Sequence, residues 1–411
     1  FWLKCLESSA QVLRVLPVDG ASPMAGGQRA RVDDTQASGE DGSMAQDGVE
    51  DSEPGEVPVL EPAPTLRAAE LFGAHSEARM LLVGDGNFSF AEALLRLEVA
   101  GCQLVATAYE TEAELEVAGF RDVFERAERL RDRGMAVGLG VDATNLTDTL
   151  PADVVGPFDV IVFQFPQHPE RRKIHLQRQL LRGFFASAIG QLAPEGSIVV
   201  SLCRGQGGTP AEEEPRKTSD TWQVQDAAAE LGLLLRLVQP CPTEELELLG
   251  YRSTGYRCRG LRPSNAENMQ DKSFNWDGSL THVFCRDSIG AVAAYALVWS
   301  HDVSLWEPDG FEEEHLQVAL RAAVCGEGGD ASDGVEVTLE LMDQYCRPED
   351  GKRARTYRLT VRAQRRAVSQ AAWRRACEGV SKQFSDAADR TQSVSLGALA
   401  GGAETVGRAS G

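Results

Sequence analysis

Residues 79–90 read Arg79-Met80-Leu81-Leu82-Val83-Gly84-Asp85-Gly86-Asn87-Phe88-Ser89-Phe90. The apolar run Met80–Val83 has the composition of a buried strand, and Gly84-Asp85-Gly86 enforces a turn. Ser89 then opens a run whose apolar positions, Phe90, Leu94, Leu95 and Leu97, recur at helical spacing. A strand, a glycine turn and a helix N-terminus form the unit with which α/β proteins present backbone N–H groups to a nucleotide-like ligand.

Outward from this unit, strand-like runs are predicted at 80–84, 103–110, 136–142, 158–165, 196–203, 233–239 and 280–285. Helical runs at 89–100, 111–133, 174–192 and 221–231 alternate with them, the signature of a parallel sheet with helices on both faces. A long irregular piece separates the last two strands. That spacing suits an α/β Rossmann-like class I methyltransferase sheet, whose final strand enters antiparallel. Beyond Ile289 the predicted order is strand (294–306), helix (311–324), strand (335–345), strand (355–365), helix (369–384), an α+β ferredoxin-like split β-α-β unit.

The 411 residues therefore divide into an acidic tail (1–76), a Rossmann-like domain (77–287), a ferredoxin-like domain (288–388) and a flexible tail (389–411). Between Asp33 and Thr65 stand ten Asp/Glu and no Lys or Arg, too little apolar content to offset ordering entropy, so the first tail is expected to be disordered. No window approaches the roughly 20 apolar residues of a membrane span, so no membrane partner is expected. The nine cysteines are scattered without a C-x-x-C pair, which disfavours a zinc cluster or a disulfide framework, and no metal is expected. The net charge of −21 disfavours indiscriminate nucleic-acid binding. The chain opens on Phe1, which leaves targeting undecided.

Three strand ends carry chemistry. Gly84, Asp85 and Gly86 follow the first, Glu110 ends the second and Asp142 the third. Glycines admit close backbone approach, a carboxylate after the second strand can accept both ribose hydroxyls, and one after the third can accept an adenine amino group. A dinucleotide fingerprint G-x-G-x-x-G would need glycine at position 89, where Ser89 stands, and Asp85 would repel a pyrophosphate. Negative charge suits a sulfonium, so S-adenosyl-L-methionine is the expected cofactor. The fourth strand ends in Phe163-Gln164-Phe165-Pro166-Gln167-His168. Gln164 can bond a base edge and Phe163 or Phe165 can stack on a base, one of the two pointing into the core. His168 reads as structural or solvated rather than as a base. The glycine-rich stretch Leu202–Pro210 either closes over the acceptor or merely connects, and Trp222 either stacks or packs.

The run Gly84-Asp85-Gly86-Asn87-Phe88-Ser89-Phe90, with Phe163-Gln164-Phe165-Pro166, resembles the family of the fungal large-subunit rRNA uridine-N3 methyltransferase, with motifs G-[ED]-G-N-F-S-F and F-N-F-P-H. The resemblance implies cofactor contacts at Gly84, Asp85, Gly86, Asn87, Phe88, Ser89, Glu110 and Asp142, and catalytic roles at Phe163, Gln164, Phe165 and Pro166. Gln164 and Gln167 depart from the family's Asn and His. Leu202–Pro210, Trp222-Gln223-Val224, Gly250–Arg257 and Asp271–Phe274 with His282 are similar to the animal proteins that join such a domain to a ferredoxin-fold anticodon-binding domain. Ser300–Trp306, Leu341–Tyr345 and Tyr357–Arg362 are similar to the anticodon-binding domain of phenylalanyl-tRNA synthetases.

Between Arg347 and Arg375 ten Lys/Arg face two acids, a local balance of +8 that suits phosphate contacts, with Arg355, Arg358, Arg362, Arg365 and Arg366 as the RNA-binding candidates. The expectation is thus an RNA methyltransferase directed at rRNA, with tRNA or rRNA as partner, cytoplasmic or nucleolar. The alternative is a non-catalytic RNA-binding protein of the same fold.

Overall fold

The computed structural model describes residues 66–97, 101–168, 173–253, 274–308, 310–326 and 333–400, with side chains of the last helix to Ala388. The first lobe is a seven-stranded sheet of β1 (Arg79–Val83), β2 (Gln103–Thr107), β3 (Ala136–Gly138), β4 (Phe158–Gln164), β5 (Leu192–Leu202), β6 (Leu233–Pro240) and β7 (Leu280–Arg286), in the spatial order 3-2-1-4-5-7-6. Strands β1 to β5 are parallel, and β7 runs antiparallel between β5 and β6. This is the Rossmann-like methyltransferase sheet expected from the sequence.

Strand alternation divides the core into two layers. Met80 and Leu82 pack on one face with Phe90, Leu94, Leu115, Val123 and Leu130, while Leu81 and Val83 pack on the other with Leu181, Phe184 and Phe185. Several predicted bounds move for local reasons. The single helix expected over 111–133 is two, Glu112–Ala118 and Arg121–Asp132, because Gly119 turns left-handed and ends the first. Thr111 and Glu114 close a capping box at its start. The domain also begins before residue 77. Leu71 and Phe72 are fully buried, Phe72 lies edge-on to Phe90 at 5.0 Å, and Gln239 holds both backbone groups of Leu66, so residues 66–76 belong to the first core. The rest of the predicted tail lies outside the described residues.

The second lobe comprises β8 (Leu297–Trp306), the helix Glu313–Cys325, β9 (Val335–Cys346), β10 (Arg353–Ala363) and the helix Gln370–Ala400. Its sheet order is 8-10-9, with β10 antiparallel to both neighbours, so β8 and β9 run the same way with one strand between them. That is the order of a split β-α-β unit. Both helices contribute to its core, where Trp373, Leu316 and Leu320 meet Tyr357, Leu359 and Val361. The last helix passes the predicted end at residue 384 and the start of the predicted tail at 389, because the Ala-, Ser- and Gln-containing stretch to Ala400 holds no proline. Residues 401–411 lie outside the described residues.

The described residues of both lobes belong to one compact unit. Asp226 of the first lobe accepts from the Gln370 backbone N–H at 2.8 Å, Asp287 accepts from that of Ala367 at 3.2 Å, and Ala294 donates to the Leu235 carbonyl at 2.8 Å.

Candidate active site

Strand order reverses between β1 and β4, and at such a switch point neighbouring connections leave on opposite faces and open a crevice. A cavity of about 440 Å³ lies there. Its wall includes Gly84, Asp85, Gly86 and Asn87 after β1, Glu110 after β2, Asp142 after β3 and Phe163, Gln164, Phe165, Pro166, Gln167 and His168 at the end of β4. One crevice thus gathers six of the eight cofactor candidates and all four catalytic candidates.

The other two cofactor candidates do not line it. Phe88 takes the left-handed conformation with φ 61° and buries its ring in the core. Ser89 is fully buried, its hydroxyl donating to the Arg252 carbonyl at 3.2 Å and accepting the Arg252 N–H at 3.0 Å. These residues shape the turn and anchor a distant segment.

Asp85 has a different task from the one its sequence position suggests. Its carboxylate accepts the N–H groups of Phe90 at 3.2 Å and Ala91 at 2.7 Å, so it caps the helix Ser89–Leu95 from inside. Burial pushes its pKa up to about 7, opposed by those two hydrogen bonds and by Arg126. A pyrophosphate is therefore excluded because the helix N-terminus already holds a carboxylate, a stronger reason than repulsion alone. Asn87 completes the turn by accepting from the Ser89 N–H at 3.0 Å.

Gly84 is required twice. Its φ is +67°, and a Cβ there would sit 2.9 Å from Phe163 Cε2. Phe163 in turn packs on Phe184, with ring centroids 4.8 Å apart. Phe165 leaves the strand with φ 52°, and this turn sends its ring to the opposite core layer, edge-on to Phe274 at 4.9 Å and Trp276 at 5.9 Å. Simple alternation would have kept both rings on one face. Positive φ at a bulky residue is costly and concentrates at functional sites.

Asp142 accepts from the Thr144 N–H and hydroxyl, each at 2.8 Å through Oδ1, and Oδ2 accepts nothing among the described residues. The glycine-rich stretch after β5 is a fixed wall: Glu212 accepts from the N–H groups of Gly205 at 2.8 Å and Gly207 at 3.2 Å, and Cys203 and Gln206 line the cavity. Trp222 packs in the core. Tyr251, which also lines the cavity, was missed as a site residue from sequence, because the Ser89–Arg252 bridge that brings it there spans 163 residues. Burial raises its phenol well above 10. Among the described residues no group of metal-type side chains is assembled.

In the second lobe, acids stand against several of the arginines of residues 347–375. Arg358 and Arg362 do stand on the open side of β10, alternating with buried Leu359 and Val361. However, Asp302 takes Arg358 in a two-pronged ion pair at 2.9 Å for each bond, and Glu340 faces it from β9. Arg362 stands opposite Glu336. Arg355 pairs with Glu307 and, at 3.2 Å, with Glu313, and Arg366 lies 4.0 Å from Asp287. Arg365 is exposed beside Gly334. The acids come from β8 and the residue after it, from the helix Glu313–Cys325, from β9 and from the lobe junction, all outside residues 347–375.

Strand order and the switch-point crevice give the first lobe the fold of the Rossmann-like methyltransferase sheet. Residues 81–254 match the model of a family described as rRNA (uridine-N3-)-methyltransferase BTM5-like. The chain is similar to the human ferredoxin-fold anticodon-binding domain-containing protein 1, with 42% identity over 210 residues, 51% of this chain and 31% of that protein. Its mouse homolog is 41% identical over 206 residues, 50% of this chain and 30% of that one. The matched stretch thus spans under a third of the length of these relatives. Among solved structures, the chain overlaps the 16S rRNA methyltransferase KamB (TM-score 0.30, 17% identity, 55% of this chain and 97% of that one). TrmN from Thermus thermophilus gives TM-score 0.31 and 15% identity over 53% of this chain and 46% of that one. Overlaps this slight do not bear on function.

Proposed function

We propose that the chain is an S-adenosyl-L-methionine-dependent RNA methyltransferase that acts on N3 of uridine in rRNA, with the second lobe contributing RNA contacts. The observation that carries this reading is the convergence of Glu110, Asp142 and the end of β4 on one crevice at the switch point. The family match over 81–254 supports the substrate class, and the names of the human and mouse relatives support an RNA-binding second lobe.

Bound there, the cofactor would supply an electrophilic methyl group. Glu110 would accept the ribose hydroxyls and Asp142, through Oδ2, the adenine amino group. The backbone of Gly84 and Gly86 admits close approach, and the capped helix leaves no seat for a phosphate. Gln164, Phe165 and Pro166 would hold the acceptor base, the Phe165 ring being fixed by Phe274 and Trp276. The neutral phenol of Tyr251 keeps this end of the crevice free of additional charge.

Calorimetry with S-adenosylmethionine tests the cofactor half. Asp142→Ala is expected to weaken binding about tenfold or more, the effect of losing a hydrogen bond to a charged group. Equal behaviour of variant and wild type would remove Asp142 from the site, and absence of binding by both would overturn the reading. Crosslinking to find the bound RNA, followed by mapping of tritiated methyl onto it, tests the substrate half; label on protein in place of RNA would overturn the substrate class.

A further inference from the structure

The Tyr251 side chain is 7% exposed and lines the cavity, and its hydroxyl has no hydrogen-bond partner among the described residues. Unlike Gln164 Oε1, which is shut off from any surface, this oxygen keeps access to the crevice. Its ring is held from two sides, edge-on to Phe90 at 5.5 Å and to Trp276 at 5.0 Å, and Trp276 packs in turn on Phe165 at 5.9 Å. The Ser89–Arg252 bridge fixes the adjoining backbone. An O–H so held has little freedom left to lose when a ligand arrives. Its place along the sheet says which ligand that is. Glu110 and Asp142 follow β2 and β3, on one side of β1. Burial, and then the charges of Asp85 after β1, Cys241 after β6 and Cys203 after β5, raise the Tyr251 pKa, so the phenol stands toward the other side, where β4 ends in Gln164 and Phe165. It keeps its proton and cannot serve as a base. Asp85 among its neighbours disfavours a ligand carboxylate there and leaves a neutral ring oxygen as the better partner.

We propose that the Tyr251 hydroxyl is a further catalytic group, donating to a ring oxygen of the acceptor base on which negative charge gathers as the methylated nitrogen loses its proton. The inference rests on the methyltransferase reading and adds to it a residue that none of the motifs contains. In the step, N3 gives its proton to solvent, its electron pair forms the bond to the methyl carbon, and the C–S bond breaks with its pair returning to sulfur. The charge left on N3 is shared with the two flanking ring oxygens, so a donor aimed at one of them stabilises the anion more than the neutral base. A phenol suits this place because it donates without carrying a charge. A cation there would repel the sulfonium. Gln164 and Phe165 hold the base, while Tyr251 acts on the charge that develops in it.

The test compares the full chain with Tyr251→Phe, which removes the hydroxyl and keeps the ring against Phe90 and Trp276. With large-subunit rRNA as acceptor and S-adenosylmethionine carrying a tritiated methyl, the variant is expected to lose about 100-fold in kcat with KM unchanged, as when one oxyanion donor is removed. Calorimetry is expected to show unchanged affinity for S-adenosylhomocysteine. A further readout needs no turnover. The S-adenosylhomocysteine complex is titrated in mildly alkaline buffer with uridine 5′-monophosphate and with 6-azauridine 5′-monophosphate, whose more acidic imide is ionised there. Wild type is expected to bind the ionised base about tenfold more tightly, and Tyr251→Phe to bind the two alike. A drop in S-adenosylhomocysteine affinity in the variant would assign the hydroxyl to the cofactor and overturn the proposal. Unchanged kcat, equal binding of the two nucleotides by wild type, or binding of neither would overturn it as well. A wild-type chain that binds no S-adenosylhomocysteine, or transfers no methyl to the rRNA, would sink the methyltransferase reading and this assignment with it, a pattern distinct from the others.

Discussion

The two lobes use charge in opposite ways. In the first, Glu110 and Asp142 end up around a cavity because strand ends of a parallel sheet converge there, and only Asp85 is turned inward. In the second, Arg358 and Arg362 lie on an antiparallel sheet whose neighbouring strands supply acids directly opposite them. The difference is geometric. Strand ends of a parallel sheet deliver residues to a common opening, while a paired ladder sets each residue against one from a distant part of the chain.

The largest effect that sharpens this contrast is expected at Gly84. Gly84→Val must hold a β-branched residue at φ +67° and press it into the Phe163 ring, for a combined destabilisation of about 2–4 kcal/mol in urea unfolding. Binding of S-adenosylhomocysteine should fall with it. An unchanged midpoint would mean that the turn is not built on this packing.

A smaller effect is expected where the lobes meet. Asp226→Ala leaves the first N–H of the helix Gln370–Ala400 without its acceptor, a loss of about 1 kcal/mol by analogy with other N-caps. Hydrogen exchange at the start of that helix should quicken. Equal exchange in the variant would show that this hydrogen bond does not join the lobes.

The Asp85 cap has a pH signature. Its pKa is raised from 3.8 to about 7 in the folded chain, so the folded state binds the proton more tightly than the unfolded one. The stability it contributes is complete below about pH 4 and is lost as pH rises through 7. Denaturant midpoints for wild type should fall across that interval, and Asp85→Asn should flatten the fall. A wild-type profile with no such decline would mean that the carboxylate is ionised throughout.

The smallest effects belong to the second lobe. If the ion pair with Asp302 masks Arg358, Arg358→Ala should change RNA binding less than Arg362→Ala, and Asp302→Asn should tighten it a few-fold. Filter binding at several salt concentrations reads this, since the salt slope falls by roughly one for each phosphate that the protein ceases to neutralise. Equal weakening by both arginine substitutions would show that the pair opens on binding.

Much of the site was legible in the residues themselves. The Gly84-Asp85-Gly86 turn, Glu110 and Asp142 are local signals, because a strand followed by glycine or a carboxylate places that residue at a strand end whatever the rest of the chain does. Ser89 was legible too, but as a departure from a dinucleotide motif; its actual role, holding Arg252, needs a partner 163 positions away. The direction of the Asp85 carboxylate, the opposite fates of the Phe163 and Phe165 rings and the arrival of Tyr251 depend on packing that no local pattern encodes. The early start of the first domain escaped detection because Leu71 and Phe72 follow an acidic, apolar-poor stretch and find their partners only in the folded core.

By itself the sequence determined the alternation of strands and helices and the carboxylates that follow successive strands, because periodicity and turn chemistry are properties of neighbouring residues. Only the tertiary structure decided which charges remain available. Asp85 is occupied by a helix N-terminus, Arg358 by Asp302, and Gln164 is set against Cys241. The physical reason is that a charge or an amide acts through its nearest partner, and in each of these three cases folding, not sequence order, chose that partner.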